Sequence, residues 1–207
     1  MKPVRIVIFA KAPQPGVAKT RLIPALGAQG AADLARCMLL RTLHEAVAAG
    51  VGPVELCVTP SSAAPIWQTL GVPEAVQWSD QAEGDLGKRL AVAAQRVLEN
   101  GESVLLIGTD CPELGTACLQ QAARDLQRTD TTLFPTFDGG YALLGLNLFH
   151  CSLFEGIAWS TNTVAFETRY RIGQLGWTLQ NHPMLHDIDE PSDLKWLPKS
   201  WLEMTGA

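Results

Sequence analysis

Val4-Arg5-Ile6-Val7-Ile8-Phe9 runs directly into Ala10-Lys11-Ala12-Pro13-Gln14-Pro15-Gly16. The first six residues are mainly β-branched and aromatic, the pattern of a central strand covered on both faces. Two prolines and a glycine then forbid regular structure. From about Ala28 to Ala49 the pattern turns helical, with Ala35, Leu39, Leu43 and Val47 four apart and Arg36, Arg41 and Glu45 on other faces. Strand, loop, helix is the unit, and its recurrence decides the fold. Further strands are predicted at Val54 to Val58, Ala75 to Trp78, Val104 to Ile107, Thr131 to Phe134, Tyr141 to Leu146 and Trp177 to Met184. Helices are predicted at Pro65 to Leu70, Leu86 to Leu98, Leu114 to Leu126, Asn162 to Leu175 and from about Pro191. Such alternation implies an α/β fold with a mixed, mostly parallel central sheet and helices on both faces.

The 207 residues fit one large domain, taken as 1–207, with no repeat, low-complexity tract or long linker. A hydrophobic fraction of 47% and a charged fraction of 18% are those of a folded enzyme. The formal net charge of -5 offers no footprint for a nucleic-acid backbone. Five cysteines without a CxxC pair indicate reduced thiols rather than a disulfide framework or structural zinc. The apolar N-terminal stretch, interrupted by Arg5, is too short for a membrane span or a signal peptide, so a cytoplasmic location is expected.

In doubly wound sheets ligands gather where strands end and helices begin. The first such loop concentrates Lys11, Lys19 and Arg21 beside Gly16, which suits polyphosphate, although a solvated basic loop has the same composition. Gly16-Val17-Ala18-Lys19-Thr20 lacks the glycine before lysine and the full spacing of a P-loop. Glu83-Gly84-Asp85-Leu86-Gly87-Lys88-Arg89 opens the strongest helix. Asp85 fits an N-cap, while Gly84 and Gly87, costly in a helix, imply close approach to the backbone, for which a ligand base or ribose is a candidate.

Gly108-Thr109-Asp110-Cys111-Pro112 follows the strand ending at Ile107, which places Asp110 to hold a hard cation bridging phosphates, or alternatively to form a plain turn or cap. Cys111 reads as a packed thiol, since no histidine base lies near it. In His186-Asp187-Ile188-Asp189-Glu190-Pro191 the alternation sends both aspartates to one side of an extended segment, so Asp110, Asp187 and Asp189 are candidate ligands for one metal; Asp189 also fits a cap before Pro191. Asp138-Gly139-Gly140-Tyr141 reads either as a tight turn or as a glycine surface for a sugar. In Trp159-Ser160-Thr161-Asn162, Ser160 or Thr161 is the natural helix cap, and the free amide groups there equally suit an anionic acceptor.

Taken in order, Phe9-Ala10-Lys11-Ala12-Pro13, Lys19-Thr20-Arg21-Leu22, Gly84-Asp85-Leu86-Gly87, Gly108-Thr109-Asp110-Cys111-Pro112, Asp138-Gly139-Gly140-Tyr141, Trp159-Ser160-Thr161 and Asp187-Ile188-Asp189 resemble the DUF2064 family of the nucleotide-diphospho-sugar transferase (GT-A) superfamily. The resemblance spans nearly the whole chain and implies a Rossmann-like GT-A domain with Asp110 at the superfamily's metal-binding aspartate. Lys19 to Leu22 also looks like the phosphate loop of phospholactate guanylyltransferases, and Asp187 to Asp189 like the second metal segment of sugar-nucleotide synthetases. Cys111 departs from the family's serine. The resemblance implies nucleotide and phosphate contacts from Ala10, Lys11, Gly16, Lys19, Arg21, Gly84, Asp85, Gly87, Arg89 and Thr109. Sugar and acceptor contacts are expected from Asp138, Gly139, Gly140, Tyr141, Trp159, Ser160 and Thr161. Catalysis is expected from Lys19, Arg21 and Asp110, with Mg²⁺ or Mn²⁺ on Asp110, Asp187 and Asp189. The leading expectation is a glycosyltransferase using a nucleotide-diphospho-sugar and a small-molecule acceptor. The alternatives are a nucleotidylyltransferase of the guanylyltransferase kind and a non-catalytic nucleotide-binding module.

Overall fold

The computed structural model describes residues 2–198 and 201. Its centre is a seven-stranded sheet of β1 (Val4–Lys11), β2 (Val54–Thr59), β3 (Gln77–Asp80), β4 (Ser103–Ile107), β5 (Thr131–Pro135), β6 (Tyr141–Leu146) and β7 (Leu179–Asn181). The spatial order is β3-β2-β1-β4-β6-β5-β7. β6 alone runs against its neighbours β4 and β5, so the sheet is mixed and mostly parallel, as predicted. The chain leaves β1 for β2 on one side and later places β4 on the other. This reversal of strand order opens a crevice beyond the carboxyl ends of β1 and β4.

Alternation along the strands feeds two cores. Ile6 and Ile8 of β1 with Leu105 and Ile107 of β4 pack beneath α1 (Ile23–Ala49) and α3 (Thr116–Asp125). Val7, Val104 and Leu106 face α2 (Leu86–Glu99) and α4 (Val164–Gln174). A third cluster joins Leu22, Leu34 and Met38 to Ile188, which is fully buried. That contact ties the start of α1 to the segment carrying Asp187 and Asp189.

Two expectations need correction. In α1 the buried stripe is Leu34, Met38, Leu39, Thr42, Leu43 and Ala46, while Val47 is exposed. Steps of four residues overshoot the 3.6-residue turn by about 40° each, so the row from Ala35 drifts off the core face by Val47. Pro65–Thr69 and Pro191–Trp196 are 3₁₀ turns rather than α-helices, short pieces that periodicity does not separate from one another. A break at Gly27 (φ 70, ψ 168) sets one preceding turn apart from the long regular run of α1. No helix among the described residues is long and apolar enough to cross a membrane.

Candidate functional site

Asp110 lies three residues beyond β4, on a loop held by α1. The Arg41 guanidinium donates to the Pro112 carbonyl at 2.8 and 3.2 Å. Glu45 accepts from the Thr116 backbone N–H at 2.7 Å, closing the start of α3. After β7 the chain runs beside the exit of β5, where Leu185 N–H donates to Pro135 O and Ile188 N–H to Asp110 O, each at 2.9 Å. With Ile188 sunk in the third core, its neighbours Asp187 and Asp189 are left at the cleft beside Asp110.

Lys19 joins the two strand exits. Its Nζ lies 2.5 Å from Asp110 Oδ1, 2.7 Å from Asp189 Oδ1 and 2.6 Å from the Ile188 carbonyl. The lysine side chain is 8% exposed, against 51% for Asp110 and 42% for Asp189. Burial by itself would lower the ammonium's pKa, but the two carboxylates outweigh it and hold it above the ordinary lysine value. Among the described residues Asp187 has no such partner. Burial, then Asp138, then Asp189 and Asp193 push its carboxyl up to about 6. Burial also pushes the Cys111 thiol up to about 12, which keeps it an inert packed group.

The cleft has two halves that meet at Asp110, Asp189, Arg21 and Ser160. One, of 530 Å³, is walled by Ala10, Lys11, Lys19, Arg21, Arg89 and Thr109. Lys11 and Arg21 are exposed, and among the described residues Arg21 reaches only a distant Glu190 at 3.9 Å. The other, of 380 Å³, is walled by Asp138, Asp187 and Gly140, by the aromatic Tyr141 and Trp159, and by Leu86 and Leu90. The Tyr141 hydroxyl and Trp159 Nε1 are buried with no hydrogen-bond partner among the described residues. Unmet donors of this kind cost about 1–3 kcal/mol each.

Several expected ligand contacts are instead made by the chain itself. A Cβ at Gly87 would stand 2.5 Å from Phe154 O and 2.6 Å from Trp159 Nε1, so the segment leading into α4 packs where a base or ribose was expected. A Cβ at Gly139 would stand 2.1 Å from Asn162 O, so that glycine faces protein and not sugar. Gly16 (φ 75) and Gly84 (φ 118) supply positive φ to turns and line neither half. Asp85 caps α2 by accepting from Lys88 N–H at 2.8 Å. Asp138 accepts from Gly140 N–H at 2.8 Å and from Thr136 Oγ1, closing its own turn. α4 begins only at Val164, so neither Ser160 nor Thr161 caps it; the Thr161 hydroxyl donates to Ala158 O at 2.7 Å, and Ser160 takes a left-handed φ of 62° at the junction of the halves.

The three expected metal ligands divide. Asp110 and Asp189 converge on one point, held by the Lys19 ammonium, while Asp187 stands nearer Asp138 in charge. No group of three or more His, Cys, Asp or Glu side chains among the described residues is set to hold a metal. Two carboxylates with exposed oxygens nevertheless fit a hard cation that completes its shell with water and phosphate oxygens.

Sequence reading missed Gln81, whose side-chain amide donates to Ala10 O at 3.1 Å and Cys57 O at 3.0 Å while accepting from Arg89 at 3.1 Å. It also missed Arg41 and Glu45 as holders of the Asp110 loop. None of the three lies in a motif that signals a site, since each acts through backbone groups distant in sequence.

The fold recurs in solved proteins. A protein of Desulfovibrio desulfuricans G20, provisionally named a nucleotide-diphospho-sugar transferase, is 30% identical, with a TM-score of 0.87 over 97% of this chain and 88% of that one. The fold is shared more distantly with Rv0371c of Mycobacterium tuberculosis H37Rv, solved in complex with manganese (17% identity, TM-score 0.56, 97% and 100% of the two chains). It is shared also with 4-diphosphocytidyl-2C-methyl-D-erythritol synthase of Anaerococcus prevotii DSM 20548 (11% identity, TM-score 0.61, 98% and 99%). No curated protein matches the sequence at a significant level. The family model described as "Uncharacterized protein conserved in bacteria (DUF2064)" matches residues 42–161. With that match and a 30% identical relative aligned over nearly its whole length, this chain belongs to the DUF2064 family.

Proposed function

We propose that this chain is a transferase that binds a nucleotide-diphospho-sugar and passes the sugar to a neutral, hydroxyl-bearing acceptor. The observation that carries the reading is the division of charge along the cleft. Lys11, Lys19, Arg21 and Arg89 gather on the half beyond β1. The other half presents Asp138 and Asp187 between aromatic and aliphatic walls, with Arg21 as its one cation among the described residues. A diphosphate suits the first half. A phosphorylated acceptor would meet carboxylates in the second, which is unfavourable in a partly desolvated cleft.

In this reading Lys11 and Arg21 bind the diphosphate, Arg21 by its planar fork. Trp159 and Tyr141 offer apolar faces to the sugar ring, and Gln81 keeps the floor of the nucleotide half rigid. Asp110 and Asp189 would hold a divalent cation, whose chemistry is to neutralise charge on the departing diphosphate. The relative from D. desulfuricans supports the substrate class by its name.

Nucleotidyl transfer remains the second reading, and one observation favours it: four cationic side chains line the phosphate half, enough for a triphosphate. Thermal shifts with UDP-glucose, GDP-mannose, UDP, GDP, GTP and CTP, each with and without Mn²⁺, separate the two, because a ligand of the native state raises its apparent stability. Sugar transfer predicts metal-dependent shifts with sugar nucleotides and diphosphates. Shifts confined to triphosphates, with release of pyrophosphate, overturn it.

A further inference from the structure

Lys19 has no hydrogen left for a phosphate. An ammonium donates three hydrogen bonds, and here all three are taken, by Asp110 Oδ1, Asp189 Oδ1 and the Ile188 carbonyl. Its nitrogen also stands between the two carboxylates best placed to ligate a divalent cation. At 2.5 and 2.7 Å from their oxygens it occupies the point such a cation would take at about 2.0–2.6 Å. Two cations cannot share that point, since their repulsion in a partly buried corner is strong. The lysine belongs to the same wall as Lys11, Thr20 and Arg21, lining the phosphate half.

We infer that Lys19 is the resident counter-ion of the Asp110–Asp189 pair and is exchanged for the metal: a divalent cation entering between the carboxylates displaces the ammonium, which is thereby freed to turn into the phosphate half. Three consequences follow from the geometry. The carboxylates stay paired and spaced before any ligand arrives, so they do not repel one another apart. Metal alone binds weakly, because it must first displace a satisfied ion pair. Metal and diphosphate bind cooperatively, because the freed ammonium gains a partner only when phosphate is present, and the coupling is reciprocal.

The inference rests on the metal part of the proposed function and not on the nature of the transferred group, so it is tested with metal alone. Free Mn²⁺ is titrated by electron paramagnetic resonance into the wild-type protein and into Lys19→Met, without nucleotide. Exchange predicts that the substitution tightens Mn²⁺ binding by ten-fold or more. Equal or weaker binding in the variant, or binding by neither protein, overturns it. A second measurement on the wild type guards against a variant that fails to fold. Acetylation of surface amines by an N-hydroxysuccinimide ester is mapped by mass spectrometry with and without Mn²⁺. Exchange predicts that labelling of Lys19 rises several-fold on adding metal while that of the exposed Lys11 stays constant. Flat labelling of Lys19 across Mn²⁺ saturation overturns it. A protein that exchanges lysine for metal yet shifts only with triphosphates would retain this inference and lose the sugar-transfer reading.

Discussion

Gly87→Ala puts the packing argument and the propensity argument in direct opposition. Gly87 is the second residue of α2, and replacing glycine by alanine in a helix is favourable by about 0.8–1 kcal/mol from propensity alone. The added Cβ would however meet Phe154 O at 2.5 Å and Trp159 Nε1 at 2.6 Å. A backbone carbonyl is one of those atoms, so relief requires the segment leading to α4 to move. Because a backbone carbonyl is met, the cost falls in the upper part of the overpacking range, about 2–3 kcal/mol, leaving a net loss of roughly 1–2 kcal/mol once the propensity gain is subtracted. For a chain of this size that lowers Tm by roughly 2–8 °C. Gly173→Ala is the control, because Gly173 lies inside α4 with nothing within 4 Å of its Cβ position. There the propensity gain acts alone, and Tm should rise by roughly 1–4 °C. Differential scanning calorimetry of the two variants reads both signs. A Tm for Gly87→Ala at or above the wild-type value refutes the close packing of the Trp159 segment on α2.

Asp110→Ala should abolish metal-dependent thermal shifts by nucleotides with only a modest loss of stability, since its side chain is half exposed; an undiminished shift removes Asp110 from the metal site. Asp85→Ala should cost about 1 kcal/mol of cap energy, seen as a Tm fall of roughly 2–4 °C, while Asp85→Asn keeps both cap and nucleotide binding; lost binding in the asparagine variant assigns the carboxylate to ligand. Asp187, held up at about 6 against an ordinary 3.8, binds more protons folded than unfolded between those values. Its contribution to stability therefore falls as pH rises through about 4 to 6 and stays unfavourable above. Tm curves of wild type and Asp187→Asn should meet near pH 4 and separate by pH 8 with the variant higher; parallel curves refute the raised pKa.

The sheet was legible because central strands are apolar runs with no alternation, and β1, β2 and β4 fall within a residue or two of their predicted bounds. β7 was the least legible strand. It lies at an edge, two of its three residues are exposed, and its apolar signal merges with the flanking Trp177 and Met184. The participants at the carboxylate corner were legible because each follows a strand. Their mutual arrangement was not, since Lys19 meets Asp189 across 170 positions and nothing local marks an ammonium that carboxylates have already claimed.

The glycine motifs carry a different lesson. Glycine beside a helix start or in a turn signals that something comes close to the backbone, and the sequence does not say what. At Gly87 the close neighbour is Trp159, and at Gly139 it is Asn162. Both contacts fall on the one segment that leads into α4, and the Ala165 N–H adds a 2.8 Å bond to Gly139 O. α2 and the β5–β6 turn thus grip that segment from two sides, and it carries Trp159 and Ser160, which line the cleft. The two glycine motifs therefore shape the half walled by Trp159 and Tyr141 indirectly, by seating its wall. It follows that substitutions at Gly87 and Gly139 should act on binding in the same way, through the position of Trp159, although neither glycine lines the cleft.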